Sequence, residues 1–256
     1  MYVYRKIVYK NNFWKGTYQM QELTLHEKTI LSPVMKDVYR RIRTNIEFTG
    51  IDNKVICLTS CVANDGKTSV SFNLAKSFAE NGNRVLFIDT DMRNSTLTSR
   101  LEIPKNLCGL SHYLAGKNAG SEIIYATSIK NLYLIPTGRF PKNPTELLGK
   151  ESFETLIEGM KQAFDYVIID TPPLGAVVDA AIIAKSADAS ILVISPDVVN
   201  RKSAQLVKEQ LVNANPNFLG VIMNKLDVGK KRKKYGYGYG YGYGYGYGYG
   251  YGRDEE

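Results

Sequence analysis

The feature that most constrains this 256-residue chain is the stretch Lys54–Asn73, which reads KVICLTSCVANDGKTSVSFN. It begins as an apolar run with strand character, and a helical pattern follows directly after Gly66-Lys67-Thr68. Such a strand–loop–helix unit predicts a phosphate-binding loop, where backbone N–H groups surround the phosphates, a lysine reaches the β/γ oxygens and a hydroxyl holds magnesium. The positive end of the helix adds to the attraction for the anion. Cys61 stands where the usual pattern has its first glycine.

Further apolar runs end in polar turns, with helical stretches between them. The runs are Arg84–Asp89, Leu132–Pro136, Tyr166–Asp170, Ser190–Ser195 and Leu219–Asn224. The helical stretches are about Ser69–Glu80, Thr145–Ala163, Asp179–Ser186 and Arg201–Asn213. Continuous apolar runs are typical of strands buried on both faces. The alternation therefore predicts an α/β fold of P-loop type, a parallel sheet covered by helices on both faces, with ligands at the carboxyl ends of its strands.

Three aspartates lie at such strand ends, so we expect them beside the phosphate loop. Asp170 ends the run YVIID, and a carboxylate in that place commonly holds magnesium. Asp89 and Asp91 are alternate residues leaving another run, and two carboxylates exceed what the metal needs. The spare carboxylate is a candidate base for the proton of an incoming hydroxyl. For any one of these aspartates, the alternative is that it only caps a turn.

The net charge of +8 belongs to the two ends of the chain. Residues 1–20 carry four basic groups and no acid, and the end from Lys230 carries six basic and three acidic groups, so the body between is almost neutral. This distribution disfavours a nucleic-acid partner and suits an anionic membrane surface or an acidic partner, with a solvated tail as the alternative. Three cysteines are too few for a disulfide framework, and no apolar run approaches a membrane span. We therefore expect a cytoplasmic protein.

The two ends also differ from the body in pattern. Met1–Gln21 is aromatic and basic without a clear period, and a membrane contact, a partner contact and a mere leader stay equally open. Lys230–Lys234 is a basic run, and Tyr235–Gly252 consists of nine Tyr-Gly repeats. Nine glycines make an ordered strand entropically costly, so we predict an unstructured tail. The alternative is a low-complexity tail without a specific role.

The chain from Pro33 to Asp227 resembles the bacterial tyrosine autokinases of capsular and exopolysaccharide synthesis, in their soluble cytoplasmic form. The stretches that carry the likeness are Thr59–Thr68, Leu86–Arg93 and Val167–Pro173 for the three nucleotide motifs, with Gly109–Gly116 and Asn143–Leu148 as further matches. The family usually has Pro-Gly in place of Ala63-Asn64, and asparagine tolerates the left-handed backbone that glycine would supply.

The resemblance implies a protein-tyrosine kinase that uses ATP and Mg²⁺, with roles carried over residue by residue. Nucleotide binding is assigned to Ala63, Asn64, Asp65, Gly66, Lys67, Thr68, Ser69 and Asn224. Metal binding is assigned to Thr68, Asp89 and Asp170. Catalysis is assigned to Lys67, Asp89 and Asp91, with Asp91 as the base.

The resemblance also implies an assembly and an acceptor. Asp37-x-x-Arg40-x-x-Arg43 is similar to the family's ring-forming Glu-x-x-Arg-x-x-Arg helix, with aspartate for glutamate; an ordinary amphipathic helix is the alternative. The family ends in a tyrosine cluster that is phosphorylated on a neighbouring subunit. The corresponding acceptors here are Tyr235, Tyr237, Tyr239, Tyr241, Tyr243, Tyr245, Tyr247, Tyr249 and Tyr251. The implied partners are copies of the chain in a ring, a membrane-embedded activator of polysaccharide export at the inner face of the plasma membrane, and a tyrosine phosphatase.

We thus predict a basic and aromatic extension over residues 1–30, a P-loop kinase domain over 31–229 and a tail over 230–256. One rival is an ATPase of the septum-site or plasmid-partition type, which shares the sheet and the three motifs. Those proteins have a lysine where Val62 stands and lack a long tyrosine tail. A second rival is a nucleotide-gated scaffold whose tail binds partners without being phosphorylated; the intact Lys67 and aspartates argue against it.

Overall fold

The computed structural model describes residues 3–10, 15–27, 30–104, 106–196 and 198–226. The chain divides into two units, Met1–Lys225 and Leu226–Glu256, and all the helices and strands named here belong to the first. The strands are β1 Val3–Lys10, β2 Lys15–Leu23, β3 Val55–Ser60, β4 Val85–Asp89, β5 Tyr125–Thr127, β6 Leu132–Ile135, β7 Tyr166–Asp170, β8 Ala189–Ile194 and β9 Phe218–Met223. The helices are α1 Pro33–Glu47, α2 Lys67–Glu80, α3 Leu97–Arg100, α4 Leu110–Leu114, α5 Pro144–Leu148, α6 Glu151–Ala163, α7 Asp179–Lys185 and α8 Arg201–Ala214.

The strands form a single sheet in the order β1-β2-β5-β6-β4-β7-β3-β8-β9. Its pairs are parallel except for β1–β2 and β5–β6, which are antiparallel. Alternate residues of β3 divide between two buried cores: Val55 and Cys57 pack with α6, α7 and α8, and Ile56 and Leu58 pack with α1 and α2. Helices therefore cover both faces, and the predicted P-loop type of α/β fold is confirmed.

The predicted strands between Val55 and Met223 are present, but the structure corrects the helix prediction for Thr145–Ala163. That stretch is two helices, because the chain leaves helical geometry at Lys150, which has ψ 148° and begins α6 as its N-cap. The sequence analysis also assigned no structure to the short elements α3, α4 and β5.

The N-terminal segment, for which the sequence predicted no regular structure, contains two strands. Residues 3–10 and 15–23 form an antiparallel hairpin, and β2 runs parallel to β5 through Glu22 and Leu23. The hairpin extends the sheet that carries the phosphate loop, so this part of the 1–30 extension is not a separate body. The predicted boundary near residue 30 stays a prediction. In the described ranges, no helix has the length and apolarity needed to cross a membrane.

The strand order decides where the functional side chains lie. β7 is inserted between β3 and β4, although it follows both in sequence. Its register pairs Asp170 with Leu58 of β3 on one side and with Asp89 of β4 on the other. Two carboxylates thus end neighbouring strands directly beside the loop that follows β3.

Candidate active site

The loop between β3 and α2 has the backbone that a phosphate-binding loop needs. Gly66 has φ +87° and Asn64 has φ +66°, so both adopt the left-handed conformation, and asparagine does supply it in place of glycine. Asp65 is fully buried and braces the loop, accepting from Val62 N at 3.1 Å and from Ser195 N at 3.2 Å.

Asn224 lies directly against this loop. Its side-chain amide donates to Asp65 O at 2.9 Å, and a Cβ at Gly66 would stand 2.2 Å from the same nitrogen. A larger residue would therefore displace the Asn224 amide, and the φ angle of Gly66 already favours glycine. The predicted nucleotide-binding residues from Ala63 to Ser69 and Asn224 thus form one continuous structure, whose role in binding stays a prediction.

Lys67 is buried among carboxylates. Its Nζ lies 3.2 Å from Asp91 Oδ2 and 3.7 Å from Asp170 Oδ2. Burial alone lowers the pKa of Lys67, but Asp170, Asp91 and Asp89 outweigh it, so the pKa is raised. Lys67 is accordingly protonated and positively charged where the phosphate loop joins α2.

Asp170 is held by hydroxyl groups at the start of α2. Thr68 Oγ1 donates to its Oδ2 at 2.7 Å, and Ser71 Oγ donates to its Oδ1 at 2.9 Å. Burial raises the pKa of Asp170, although Lys67 and the two hydroxyl donors act against the rise. The structure therefore brings together Thr68 and Asp170, two of the three predicted metal ligands.

Asp89, the third predicted metal ligand, is held on its other side by the loop after β4. Its Oδ2 accepts from Ser95, and its Oδ1 accepts from Asp91 N at 3.1 Å. Burial, followed by repulsion from Asp170, raises the pKa of Asp89 to about 8 despite the Ser95 hydrogen bond and the charge of Lys67. A pKa of about 8 favours the protonated form of this carboxyl group at neutral pH.

Lys67, Thr68 and Asp91 line a cavity of about 590 Å³. Arg93 and Pro172 line the same cavity. A second cavity of about 500 Å³ shares Thr68, Ser69 and Arg100 with the first and is closed by Asn224 and by residues of α1 and α2. Both cavities are thus lined by the start of α2, at Thr68 and Ser69.

The structure adds site residues that the sequence analysis missed. Arg93 pairs with the buried Asp179 through Nε at 2.7 Å and also donates to Thr145 at 2.7 Å. The hydrogen bond that Arg93 donates to Asp179 raises the pKa of Arg93, burial acts against this rise, and the charges of Asp179 and Asp91 add to it. A polar residue opening the apolar stretch DAAIIA was the available signal for Asp179, but nothing in the sequence gives its partner.

Cys61 is buried at the base of the loop, where the usual pattern has glycine, and its φ is not positive. A Cβ at Gly175, in the loop after β7, would lie 2.2 Å from the Cys61 carbonyl oxygen. Burial raises the pKa of the Cys61 thiol to about 11, with a further contribution from Asp65. The thiol is thus neutral and packed, as expected for a small apolar filler.

The predicted assembly residues on α1 have different surroundings. Asp37 and Arg40 form an exposed ion pair with each other at 2.7 Å. Arg43 is instead mostly buried and donates to the backbone oxygen of Ser77 in α2 at 2.8 Å. Within the chain, Arg43 thus fixes α1 to α2, and the assembly role of Asp37, Arg40 and Arg43 stays a prediction. The predicted acceptor tyrosines from Tyr235 to Tyr251 lie outside the described residues.

Comparison with known proteins agrees with this geometry. A family model described as an AAA domain matches residues 53–216. The tyrosine-protein kinase CpsD of Streptococcus agalactiae serotype III is 41% identical over 192 residues, which cover 75% of this chain and 83% of that protein. The solved kinase domain of the Escherichia coli tyrosine kinase ETK is 34% identical with a TM-score of 0.72, covering 81% of this chain and 80% of that one.

The fold of the rival class is also similar, but less so. The septum site-determining protein MinD of Pyrococcus horikoshii, solved with Mg-ADP, is 27% identical with a TM-score of 0.58 and covers 66% of this chain and 69% of that one. Both identity and structural overlap therefore favour the kinases over the septum-site ATPases.

The raised pKa of Asp89 gives a prediction for stability. The unfolded carboxyl titrates near pH 4 and the folded one near 8, so the folded chain holds a proton that the unfolded chain releases in this window. The free energy of unfolding therefore falls as pH rises from about 4 to 8. Asp89→Asn cannot lose a proton, so the variant avoids this fall in the free energy of unfolding. Each kcal/mol corresponds to about 2–4 °C in melting temperature, and without nucleotide the variant should melt several degrees above the wild type at pH 9. The difference should shrink towards pH 5.

Thermal melting of both proteins at the two pH values checks this prediction. Asp52→Asn is the matched control, because Asp52 is exposed and its substitution should change neither curve. A melting difference for Asp89→Asn that is the same at pH 5 and pH 9 would contradict the raised pKa.

Proposed function

This chain belongs to the bacterial tyrosine-protein kinases of capsule synthesis, and we propose that it transfers the γ-phosphoryl group of ATP to tyrosines in the C-terminal tail of a neighbouring subunit, so regulating polysaccharide synthesis and export. The observation that carries the proposal is the contact of Lys67 with Asp91 at 3.2 Å in a cavity that Thr68 also lines, with Asp170 directly behind Thr68 as the acceptor of its hydroxyl at 2.7 Å. A cation for the phosphates, a base and metal ligands thus stand within one space.

Magnesium fits the donors at this site. Thr68 supplies a hydroxyl, and Asp170 and Asp89 supply carboxylates, which are the hard oxygen ligands that the ion prefers. Within the described ranges no three or more His, Cys, Asp or Glu side chains form a metal cluster. When bound, the ion would neutralise charge on the β- and γ-phosphates. Thr68 and Asp170 would hold it directly or through water, and Asp89 would give up its proton.

Asp91 is the proposed base. In the nucleotide-free chain its carboxylate accepts from Lys67 Nζ, and it also accepts from Asn94 N at 3.0 Å. When phosphates occupy the loop, Lys67 gains anionic partners there, and Asp91 is released to accept the proton of the acceptor hydroxyl. The carboxylate of Asp89 is bound to Ser95 and to the backbone, so it is less available for this task.

Asp91→Asn and Asp89→Asn should therefore act differently. Asp91→Asn keeps the size and removes the proton acceptor, so the rate of tail phosphorylation should fall about 100-fold or more while ADP binding persists. Asp89→Asn should instead raise the magnesium concentration that gives half the maximal rate. Magnesium titrations of both variants, followed by phosphotyrosine formation, separate the roles. Parallel shifts in magnesium dependence would mean that both carboxylates only hold metal.

The tail supplies the acceptor. From Lys230 to Tyr243 is about fourteen residues, which extend to roughly 45 Å and suffice to leave one subunit and enter the site of the next. Glycine between successive tyrosines keeps such a chain flexible and lets each ring approach without a bulky neighbour. The described surface of the chain offers no comparable run of tyrosines, which is why we assign the acceptor role to the tail.

Transfer between subunits is tested by mixing two chains, one without an active site and the other without a tail. A full-length Lys67→Met chain provides the tail, and an active chain truncated after Gly229 provides the site. We expect phosphotyrosine on the Lys67→Met tail, detected by mass spectrometry, and none when either protein is incubated alone with ATP and magnesium. If the two chains associate but the tail stays unmodified, transfer between neighbours is wrong.

Assembly of a ring through α1 completes the proposal. Asp37 and Arg40 are exposed, and their mutual ion pair can be exchanged for pairs with a neighbouring copy. Charge-assisted hydrogen bonds of this kind are geometrically specific. Arg43 contributes indirectly, because its bond to Ser77 fixes the angle of α1.

Arg40→Ala should accordingly give a folded monomer, measured by light scattering, because the exchangeable cation is gone. Arg41→Ala is the matched control, since Arg41 is exposed on the same helix but outside the three-residue spacing. The same oligomer in the wild type and in Arg40→Ala would remove α1 from the interface.

Regulation follows from the charge of the tail. Each transfer adds about −1.5 to −2 charge, so a few transfers outweigh the five basic residues of Lys230–Lys234. Phosphorylated tails then repel one another and loosen the ring, and a tyrosine phosphatase resets it. The basic ends of the unmodified chain support a position at the inner face of the plasma membrane, reached through a membrane-embedded activator of polysaccharide export.

A further inference from the structure

Arg93 lies on the wall of the active-site cavity, two residues after Asp91, yet the roles above give it no task. Its Nε donates to Asp179 Oδ2 at 2.7 Å and its Nη2 to Asp179 Oδ1 at 3.1 Å. Nη2 also donates to Thr145 Oγ1 at 2.7 Å, and Thr145 donates to Asp179 at 2.6 Å. One edge of the guanidinium is therefore fixed by a bidentate pair and a hydroxyl, which hold the planar group in one orientation.

The other edge of the guanidinium is unused by the protein. Nη1 makes no hydrogen bond within the described ranges, and the Arg93 side chain is 39% exposed. Asp179, by contrast, is 1% exposed, and burying a carboxylate is costly unless it is paired. The buried Asp179 fixes the orientation of Arg93, and Arg93 lines the cavity. Among the described residues, no acceptor takes the N–H groups of its Nη1.

The position of Arg93 complements that of Lys67. Lys67 is on the phosphate-loop wall, and Asp91 lies 3.2 Å from its Nζ. Arg93 follows Asp91 by two residues and lines the same cavity as Lys67. A phosphoryl group that leaves the nucleotide for an acceptor beside Asp91 would thus have two fixed cations on the cavity wall.

We propose that Arg93 is a further catalytic residue, whose Nη1 donates to an oxygen of the γ-phosphoryl group during transfer. In that step the bond from phosphorus to the leaving oxygen of ADP breaks, a bond to the tyrosine oxygen forms, and the tyrosine proton goes to Asp91. Preorganised donors that meet charge in the transition state give large rate effects. Asp179 and Thr145 are positioning residues for the guanidinium. The proposal rests on the phosphoryl transfer assigned to this cavity and adds a cation on its acceptor side.

The test measures the initial rate of tail phosphorylation against ATP concentration in the full-length chain, and the dissociation constant of a fluorescent ADP analogue. Arg93→Gln should lower the maximal rate about 100-fold and leave ADP binding within about twofold, because ADP lacks the transferred group. Asp179→Asn should lower the rate about tenfold, yet cause no further loss in the Arg93→Gln background. Added guanidinium should restore part of the rate of Arg93→Ala, which a purely structural role would not allow.

Arg139→Gln is the matched control, because Arg139 is an exposed arginine on the loop after β6 and its loss should leave the rate unchanged. The proposal is overturned if Arg93→Gln keeps its rate within about threefold, far from the effect of a lost transition-state donor. It is also overturned if the rate loss is matched by weaker ADP binding and a lower melting temperature. A wild type without any tail phosphorylation would instead contradict the acceptor assignment, so the two failures are distinct.

Discussion

The register between β4, β7 and β3 is the constraint on which the site depends. Backbone hydrogen bonds place Asp170 opposite both Leu58 and Asp89, so two carboxylates emerge on the same edge next to the phosphate loop. A slip of one residue would turn the Asp170 side chain to the opposite face of the sheet and separate it from Thr68. Because the apolar residues of β7 are buried on both faces, such a slip is opposed by the whole core.

The same register brings carboxyl groups together in a place that is shielded from water. Asp89 and Asp170 are buried side by side, and Lys67 is shared between Asp170 and Asp91. Groups arranged in this way cost stability, and such arrangements are common at functional sites. In the proposed function, a phosphate chain with its cation would supply both the anions that Lys67 needs and the positive charge that the carboxylates need. Empty and loaded states should therefore differ more in stability than in fold.

Sequence reasoning predicted the parts of the structure that a run of consecutive residues specifies. The phosphate loop and the buried strands are local patterns, and so are the aspartates that end the strands. The Arg93–Asp179 pair joins residues 86 apart, and the bond of Arg43 to Ser77 joins residues 34 apart. No local pattern encodes such pairings, because they are decided by how α5, α7 and α2 pack on the sheet. The edge hairpin β1–β2 was not predicted for another reason. Its polar and aromatic residues lack the clear alternation of apolar and polar positions that indicates a strand.

The approach of Gly175 to Cys61 has a consequence for how sequences of this kind can diverge. The cysteine occupies a place that usually has glycine, and its backbone is not in the left-handed region, so that place tolerates a side chain. Gly175 has no such freedom, because any Cβ there would collide with the Cys61 carbonyl oxygen. Substitution is thus permitted at Cys61 and blocked at Gly175. Descendants of this chain should vary at the first loop position long before they can vary at Gly175.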